Sequence, residues 1–220
     1  MNQKKFFDTL IFLRNSILYR EEHLARTHRT FQYLQMDVTP TQIEAWYQNF
    51  ENRFLPESEG RIFKLTFDGP TEPAVTSRSL ERLKTVDLTV LHDFSYTDED
   101  SRFKWLDRSH WEAYQHLMPE SNQDVLAVKK DGYIVECSRF NVFIFDKARD
   151  EMCTPPDESG CLDGVLRRHM LRRGLIYVPV LGEKKLVAAP VHVDDLKNKM
   201  LFVGNSVRGI LPVTYSEKTV

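Results

Sequence analysis

The run DVLAVKKDGYIVEC at residues 124–137 restricts the fold of this chain more than any other stretch. Asp131-Gly132 separates two segments rich in Val, Ile and other apolar residues, and an Asp-Gly pair in that setting is a strong short-range signal for a β-hairpin. Two strands joined by so short a turn are antiparallel, whereas parallel strands need a long crossover connection. The sequence therefore predicts antiparallel pairing and argues against a purely parallel, doubly wound sheet.

Helices and strands follow one another without regular alternation along the rest of the chain. Periodicity and capping signals predict helices at residues 21–36, 39–50, 111–117 and 164–173. Apolar and β-branched runs predict further strands at residues 5–13, 61–67, 85–92, 141–145, 151–155, 175–181 and 199–204. We expect an α+β fold with two lobes, an N-terminal α/β lobe at residues 1–98 and a β-rich lobe at residues 99–220.

Composition and charge narrow the functional class. Hydrophobic residues make up 41% of the 220 residues, charged residues make up 28%, and the net charge is −2, so nothing favours a nucleic-acid or membrane-surface partner. No apolar run approaches the roughly 20 residues that span a bilayer. The three cysteines lack CxxC spacing and the seven histidines are scattered, which argues against a disulfide framework and against a metal site and predicts a cytoplasmic protein.

Lys104 and Glu136 are charged residues in apolar settings. Lys104 lies between Phe103 and Trp105, and apolar surroundings favour the neutral amine that can attack a carbonyl. Glu136 ends the second strand of the hairpin, where a carboxylate could pair with a protonated ring nitrogen. Taken alone, each has a plainer interpretation, a surface lysine with its stem along an aromatic ring and an exposed glutamate at a strand end.

Three further positions suit a phosphate group. GCLDGVLRR at residues 160–168 predicts a turn into a helix, whose first backbone N–H groups, at Val165 and Leu166, have no partner within the helix. Ser206 lies in a polar loop after an apolar strand, and Arg26 on the first predicted helix offers a cation. A phosphate site, a carbonyl-binding lysine and a ring-nitrogen carboxylate together are what pyridoxal phosphate (PLP) requires.

These positions occur in the order found in a known family. The chain resembles the fold-type IV PLP enzymes, the class IV aminotransferase family, in the pieces FFDT at 6–9, EHLAR at 22–26, FKWLDR at 103–108, VECSRFNVF at 135–143, CTPP at 153–156 with CLDGVLR at 161–167, and NSVRGILPV at 205–213. The resemblance implies the two-lobed α+β architecture of the D-amino-acid aminotransferases. It departs from the family at a shortened N-terminus, since family members carry a further strand before the FFDT strand, and at Asp8, which stands where the family usually has glutamate.

The resemblance also implies roles for individual residues. Lys104, in the predicted lobe from residue 99, holds the cofactor aldehyde and moves protons, Glu136 contacts the pyridine nitrogen, and Leu162 packs against the ring. The residues implied to hold the phosphate are Arg26, Val165, Leu166 and Ser206. The candidates for binding an anionic substrate are Arg108, Arg139 and Arg208. A homodimer and a small-molecule amine substrate are implied as well.

Within the family, the segment from Lys104 to Ser109 resembles the lyase branch. Lys104, Leu106, Asp107 and Arg108 form the K-x-L-[ND]-R pattern of aminodeoxychorismate lyases, and Ser109 stands where branched-chain aminotransferases carry tyrosine. The implied reaction converts 4-amino-4-deoxychorismate into 4-aminobenzoate and pyruvate, a step of folate biosynthesis. Two alternatives stay open, a PLP-dependent aminotransferase of branched-chain or D-amino acids and a PLP-binding protein without robust turnover.

Overall fold

A computed structural model describes residues 4–96 and 99–219 and divides the chain into two units. The first contains the chain up to Glu81 together with Phe103–Arg108, and the second contains Arg82–Arg102 and the chain from Ser109 onwards. This division differs from the predicted boundary between residues 98 and 99, because Phe103–Arg108 pairs through its backbone with the first strand of the chain. Lys104 consequently belongs to the first unit.

The first unit combines a three-stranded sheet, a short hairpin and two helices. Its elements are β1 (Phe6–Leu10), β2 (Phe12–Leu13), β3 (Ser16–Ile17), α1 (Arg20–Tyr33), α2 (Pro40–Phe54), β4 (Arg61–Phe67) and β5 (Ala74–Ser79). The sheet order is β1-β4-β5, with both pairs antiparallel. One face of the sheet and the two helices enclose a core that includes Phe6, Leu10, Phe31, Ile43, Phe50, Phe63 and Leu65.

The start of α2 follows from its local sequence. The Thr39 hydroxyl accepts a hydrogen bond from the Gln42 N–H at 3.2 Å, and Gln42 Oε1 accepts one from the Thr39 N–H at 2.9 Å. This reciprocal capping box satisfies two backbone donors, and Pro40 occupies the first helical position, where its missing N–H is not needed. The predicted helix start is confirmed.

The predicted strand at residues 5–13 is divided in two. Arg14 and Asn15 have φ of 50° and 66°, and they join β2 to β3, where Phe12 pairs with Ile17. Positive φ at both turn residues is the conformation of a tight hairpin turn. The chain therefore leaves the sheet after Leu10 and reverses after Leu13.

A nine-stranded mixed sheet forms the framework of the second unit. Its elements are β6 (Val86–Leu91), α3 (Ser109–Glu112), β7 (Gln123–Val128), β8 (Ile134–Cys137), β9 (Asn141–Asp146), β10 (Glu151–Thr154), α4 (Val165–Arg173), β11 (Leu175–Val178), β12 (Gly182–Ala188), β13 (Met200–Asn205) and β14 (Gly209–Thr219). The strand order is β11-β12-β10-β9-β13-β14-β6-β7-β8. Parallel and antiparallel pairs both occur, as in β6-β7 and β7-β8. Large sheets with few helices confirm the predicted α+β class.

The predicted hairpin is confirmed as β7-β8. The Gly132 N–H donates to the Lys129 carbonyl at 2.9 Å, and Gly132 has φ of 82°, so a four-residue turn ends on a left-handed glycine. A Cβ at this position would lie 1.9 Å from His192 Nε2, so a larger residue would have to displace that ring as well as adopt a left-handed backbone. The helix predicted at 111–117 is instead a short α3 followed by a separate 3₁₀ turn at Gln115–Leu117.

Candidate active site

Lys104 is fixed beside β1 by backbone and side-chain contacts. The Phe7 N–H donates to the Lys104 carbonyl at 3.0 Å, and the Leu106 N–H donates to the Lys5 carbonyl at 2.8 Å. Lys104 Nζ donates to Thr9 Oγ1 at 3.0 Å and lies 4.6 Å from the centre of the Phe7 ring. The amine is therefore aimed by a hydroxyl and by an aromatic face that attracts cations.

The pKa of the Lys104 amine is unusually low. Burial of its ammonium form is the main reason why its pKa is lowered from 10.5 to about 7, and the positive charges of Arg26, Arg108 and Lys64 lower it further, while Asp8 raises it. At neutral pH a large share of the amine is unprotonated. A neutral lysine held in one place is the form that attacks a carbonyl.

Lys64 is a second ammonium on the same face of the sheet. It lies opposite Thr9 in the β1-β4 register, and its Nζ is 4.4 Å from the centre of the Phe7 ring. In the ranges that the structure describes, no carboxylate lies within 4.0 Å of this Nζ. Lys64 and Lys104 therefore both lie against the Phe7 ring.

Asp8 lies on the opposite, core-facing side of β1 and is 1% exposed. Its Oδ1 accepts hydrogen bonds from the Thr9 N–H at 2.6 Å and from Arg26 Nη2. Its Oδ2 accepts from Tyr47 Oη at 2.9 Å and pairs with His23 Nδ1 at 2.8 Å. Charge-assisted hydrogen bonds to Arg26 and His23 hold the pKa of Asp8 far below its usual value despite burial.

His23 and Tyr47 are neutral groups that hold this carboxylate. Burial lowers the pKa of His23, against the opposing effect of Asp8, and burial together with Asp8 raises the pKa of Tyr47 well above its usual value. The Nδ1 atom of His23 therefore carries the proton that Asp8 accepts. Its Nε2 is buried and has no hydrogen-bond partner among the residues described.

Arg26 projects from α1 and is almost fully buried, with 8% of its side chain exposed. Its Nη2 donates a hydrogen bond to Asp8, and Thr30 Oγ1 donates to the Arg26 carbonyl at 2.9 Å. A guanidinium has five N–H donors in a planar fork, so one bond to Asp8 leaves others for an anion. The structure thus brings Arg26, Lys104 and Asp8 together in the first unit.

In the second unit, Glu136 and Leu162 are brought together. Glu136 is the third residue of β8, one before its end at Cys137, is 8% exposed, and its Oε2 accepts a hydrogen bond from the Leu162 N–H at 3.0 Å. Asn141 Nδ2 donates to the Leu162 carbonyl at 3.0 Å. The backbone of Leu162 is therefore held on both sides, and the Glu136 carboxylate is fixed next to it.

The first turn of α4 presents free backbone donors. Gly164 is the N-cap, no side chain caps the helix, and Val165 and Leu166 are buried. A Cβ added to Gly204 would lie 2.9 Å from Leu166 Cδ2, so the end of β13 packs against the start of α4. Ser206 follows Gly204 by two residues and lies in the turn between β13 and β14.

The predicted substrate arginines have different surroundings. Arg139 Nε donates to the buried Asp124 at 3.3 Å, and Arg139 Nη1 donates to the Ser121 carbonyl at 2.9 Å. The Arg208 N–H donates to Asn205 Oδ1 at 2.9 Å. Arg108 contributes to the lowered pKa of Lys104. The Arg139 side chain is therefore engaged with its own neighbours.

Other chemistries find little support in the residues described. The parts of the chain at 4–96 and 99–219 contain no group of three or more His, Cys, Asp or Glu side chains placed to hold a metal ion. Over the same ranges, no helix is long and apolar enough to cross a membrane. The three cysteines are buried free thiols, and burial raises the pKa of Cys161 to about 11, so that thiol stays protonated.

The roles of Lys64, Thr9 and the network around Asp8 were not predicted from the sequence. Lys64 and Thr9 meet only through the register of β1 against β4, which no local pattern reveals. The alternation of β1 does carry one signal, because Asp8 shares its face with Phe6 and Leu10. An acidic residue at a core position needs partners, and that alone predicts a cation nearby.

Comparisons with known proteins agree with this fold. A model of the family described as amino-transferase class IV matches residues 5–215. No curated protein matches the sequence.

Solved structures are similar over nearly the whole chain. A Mesorhizobium loti protein provisionally named an amino-acid aminotransferase is 23% identical, with a TM-score of 0.79 over 97% of this chain and 100% of the other. A Legionella pneumophila protein provisionally named 4-amino-4-deoxychorismate lyase is 13% identical, with a TM-score of 0.76 over 98% and 84%. The PLP-bound form of a hypothetical aminotransferase from Mycobacterium tuberculosis is 17% identical, with a TM-score of 0.79 over 99% and 83%. At these identities the likeness shows the fold, and the predicted fold-type IV class is confirmed.

Proposed function

Because the chain belongs to the amino-transferase class IV family, whose members are PLP-dependent enzymes, we propose that it binds PLP and acts as a 4-amino-4-deoxychorismate lyase. The observation that carries the choice of substrate is Lys64, an ammonium without a carboxylate partner in the described residues, beside the Lys104 amine. The proposed substrate is a dianion, and a buried or half-buried carboxylate needs a cation. The likeness to the Legionella pneumophila protein provisionally named as this lyase supports the choice.

The residues present fit PLP. Arg26 has guanidinium donors left for the phosphate, and the unpaired N–H groups of Val165 and Leu166 at a helix start suit the same group. We assign the Ser206 hydroxyl to the phosphate as well. Glu136, whose carboxylate is held by the Leu162 N–H, is the group assigned to the pyridine nitrogen, and Leu162 is assigned to the face of the ring.

Lys104 supplies the amine that attaches the cofactor. Its lowered pKa of about 7 provides the unprotonated form at neutral pH, and Thr9 holds Nζ in a single orientation. When bound, PLP supplies an aldehyde that condenses with amines and a protonated ring that withdraws electrons from the attached amine. Glu136 keeps a proton on the ring nitrogen because a carboxylate favours the charged form of a nearby cation.

The proposed reaction uses Lys104 a second time. With the 4-amino group of the substrate held by the cofactor, the free Lys104 amine would take the proton from C4 of the substrate ring. The electrons of that C–H bond complete the aromatic ring as the bond between C3 and the enolpyruvyl oxygen breaks. The enolate that leaves takes a proton on its terminal carbon, for which the Lys104 ammonium is the source, and becomes pyruvate. Lys64 is assigned to one substrate carboxylate throughout.

A second candidate is an aminotransferase acting on branched-chain or D-amino acids. The observation that favours it is the likeness to the Mesorhizobium loti protein provisionally named an amino-acid aminotransferase, all of which is covered by this chain. Both reactions use the same lysine and cofactor. The third candidate is a PLP-binding protein without robust turnover. It would have the same cofactor site as the two enzymes but would catalyse neither reaction efficiently.

The test is a product assay on the full-length, PLP-loaded protein. It is mixed with 4-amino-4-deoxychorismate, and 4-aminobenzoate and pyruvate are measured in the same sample. We expect equimolar formation of both products. Lys104→Ala should abolish them, whereas Lys5→Ala, which removes an exposed lysine of the same unit that pairs with Asp68, should leave the rate unchanged.

The other outcomes separate the candidates. No product from a protein whose visible cofactor band shifts when amino acids are added would overturn the lyase and favour the aminotransferase, which a screen of amino donors against 2-oxoacids would then identify. A cofactor band that responds to no amine would overturn both enzymes.

A further inference from the structure

The Asp8 carboxylate is held on both oxygens by buried groups. Oδ1 receives the Thr9 N–H and Arg26, and Oδ2 receives His23 and Tyr47. The Thr27 hydroxyl lies 3.0 Å from Tyr47 Oη and extends the network to a third side chain on α1, after His23 and Arg26. A carboxylate with four donors is strongly favoured in its ionised form, so a negative charge is fixed at one point inside the unit.

The charges around this point are mostly positive. Those that act on Lys104 come from Arg26 on α1, Lys64 on β4 and Arg108 in the Lys104 segment itself, and Asp8 on β1 is the negative charge among the strongest contributors. His23 on α1 and Tyr47 on α2 are neutral at pH 7. Buried cations need a counter-charge.

Asp8 and Thr9, which are adjacent in β1, contact Arg26 and Lys104 respectively. Strand alternation points Asp8 toward the helices, where Arg26 lies, and points Thr9 to the other face, where its hydroxyl accepts from Lys104 Nζ. The Thr9 N–H also donates to Asp8. One dipeptide therefore positions both the arginine and the lysine.

We propose that Asp8 is a positioning residue, the shared counter-ion of Arg26 and Lys104, which His23 and Tyr47 clamp in place. The proposal rests on the proposed function, since it concerns the lysine and arginine assigned there to the cofactor. Asp8 acts through these two groups and has no contact with the substrate. Its charge keeps part of the Lys104 population protonated near neutral pH, and its hydrogen bond orients Arg26.

The test measures Lys104 in the full-length protein without cofactor. The rate of its modification by fluorodinitrobenzene is followed over pH, with the labelled peptide identified by mass spectrometry, because only the neutral amine reacts. In the native sequence the midpoint should lie near pH 7. Asp8→Asn should move it to lower pH by about one unit, since loss of a nearby opposite charge disfavours the ammonium.

Two variants separate charge from structure. Asp8→Glu keeps the charge and should restore the midpoint to within a few tenths of a unit. Glu51→Gln removes another carboxylate of the same unit, one that pairs with Arg20, and should leave the midpoint unchanged. An Asp8→Asn midpoint that equals or exceeds that of the native protein would overturn the proposal.

A measurement on the native protein covers the case in which Asp8→Asn does not fold. In protein with isotope-labelled aspartate carboxyls, the Asp8 NMR signal, assigned by its loss in Asp8→Glu, should shift at the same pH at which Lys104 becomes reactive. Absence of that inflection would contradict the proposal. Failure of PLP to attach to Lys104 would refute the proposed function and leave both of these results intact.

Discussion

At the residue scale, burial and neighbouring charges together decide what Lys104 can do. Three cations and desolvation favour its neutral form, and Asp8 opposes them. The Thr9 hydroxyl fixes the direction of the amine. A lysine in such a place serves as a nucleophile and as a base near neutral pH.

The lowered pKa of Lys104 links stability to pH. Between about 7, the pKa in the folded protein, and 10.5, the ordinary value, the unfolded chain binds a proton that the folded chain does not. The free energy of unfolding should therefore rise with pH across this window, with a slope contribution of at most about 1.4 kcal/mol per unit. Lys104→Met should remove this contribution, as measured by urea unfolding of both proteins at several pH values. Identical pH dependence in the two proteins would contradict the lowered pKa.

Lys64 is the residue that should distinguish substrate binding from cofactor binding. Lys64→Met should raise the KM for 4-amino-4-deoxychorismate by about 10- to 150-fold, the value of about 1.5–3 kcal/mol for a charged hydrogen bond, and should leave PLP attachment unchanged. Arg61→Met removes an exposed cation that donates to Ser77 from the other face of the same strand, so it should have no effect on KM. An unchanged KM in Lys64→Met would remove Lys64 from the substrate site.

At the element scale, local signals in the sequence predicted helices and turns, but they did not predict which strands pair with one another. The sequence around Thr39, Pro40 and Gln42 indicates the start of α2, and Gly132 indicates the β7-β8 turn. Both features are visible locally because caps and turns depend on adjacent residues. The pairing of β1 with β4 and with Phe103–Arg108 depends on contacts between segments distant in sequence. Register cannot be read from periodicity alone, so Lys64 was missed while Lys104 and Arg26 were found by motif order.

The close packing of Gly164, at the start of α4, against Asn141 can be tested by substitution. Gly164 has φ of −70°, so alanine fits its backbone, yet a Cβ there would lie 1.8 Å from Asn141 Oδ1. Gly164→Ala should displace Asn141 from the Leu162 carbonyl and lower the free energy of unfolding by about 1–3 kcal/mol.

The matched control is the same substitution in an Asn141→Ala background. There the clash is absent, and Gly164→Ala should cost much less. Equal costs in the two backgrounds, measured by denaturant unfolding, would show that Asn141 is not the obstacle.

At the scale of the whole molecule, the family match spans both units, from residue 5 to residue 215. Lys104 and Arg26 belong to the first unit, and Glu136 and the start of α4 belong to the second. The strand order of the nine-stranded sheet could not be predicted, since neighbours such as β14 and β6 are far apart in sequence. The homodimer and the cytoplasmic location stay predictions.

The central claim is that PLP is attached to this chain through Lys104. The most direct measurement is to incubate the full-length protein with PLP, reduce it with borohydride, and locate the added mass by peptide mass spectrometry. We expect a single reduced pyridoxyl group on Lys104, absent in Lys104→Ala. Attachment to another lysine, or unchanged attachment in that variant, would contradict it.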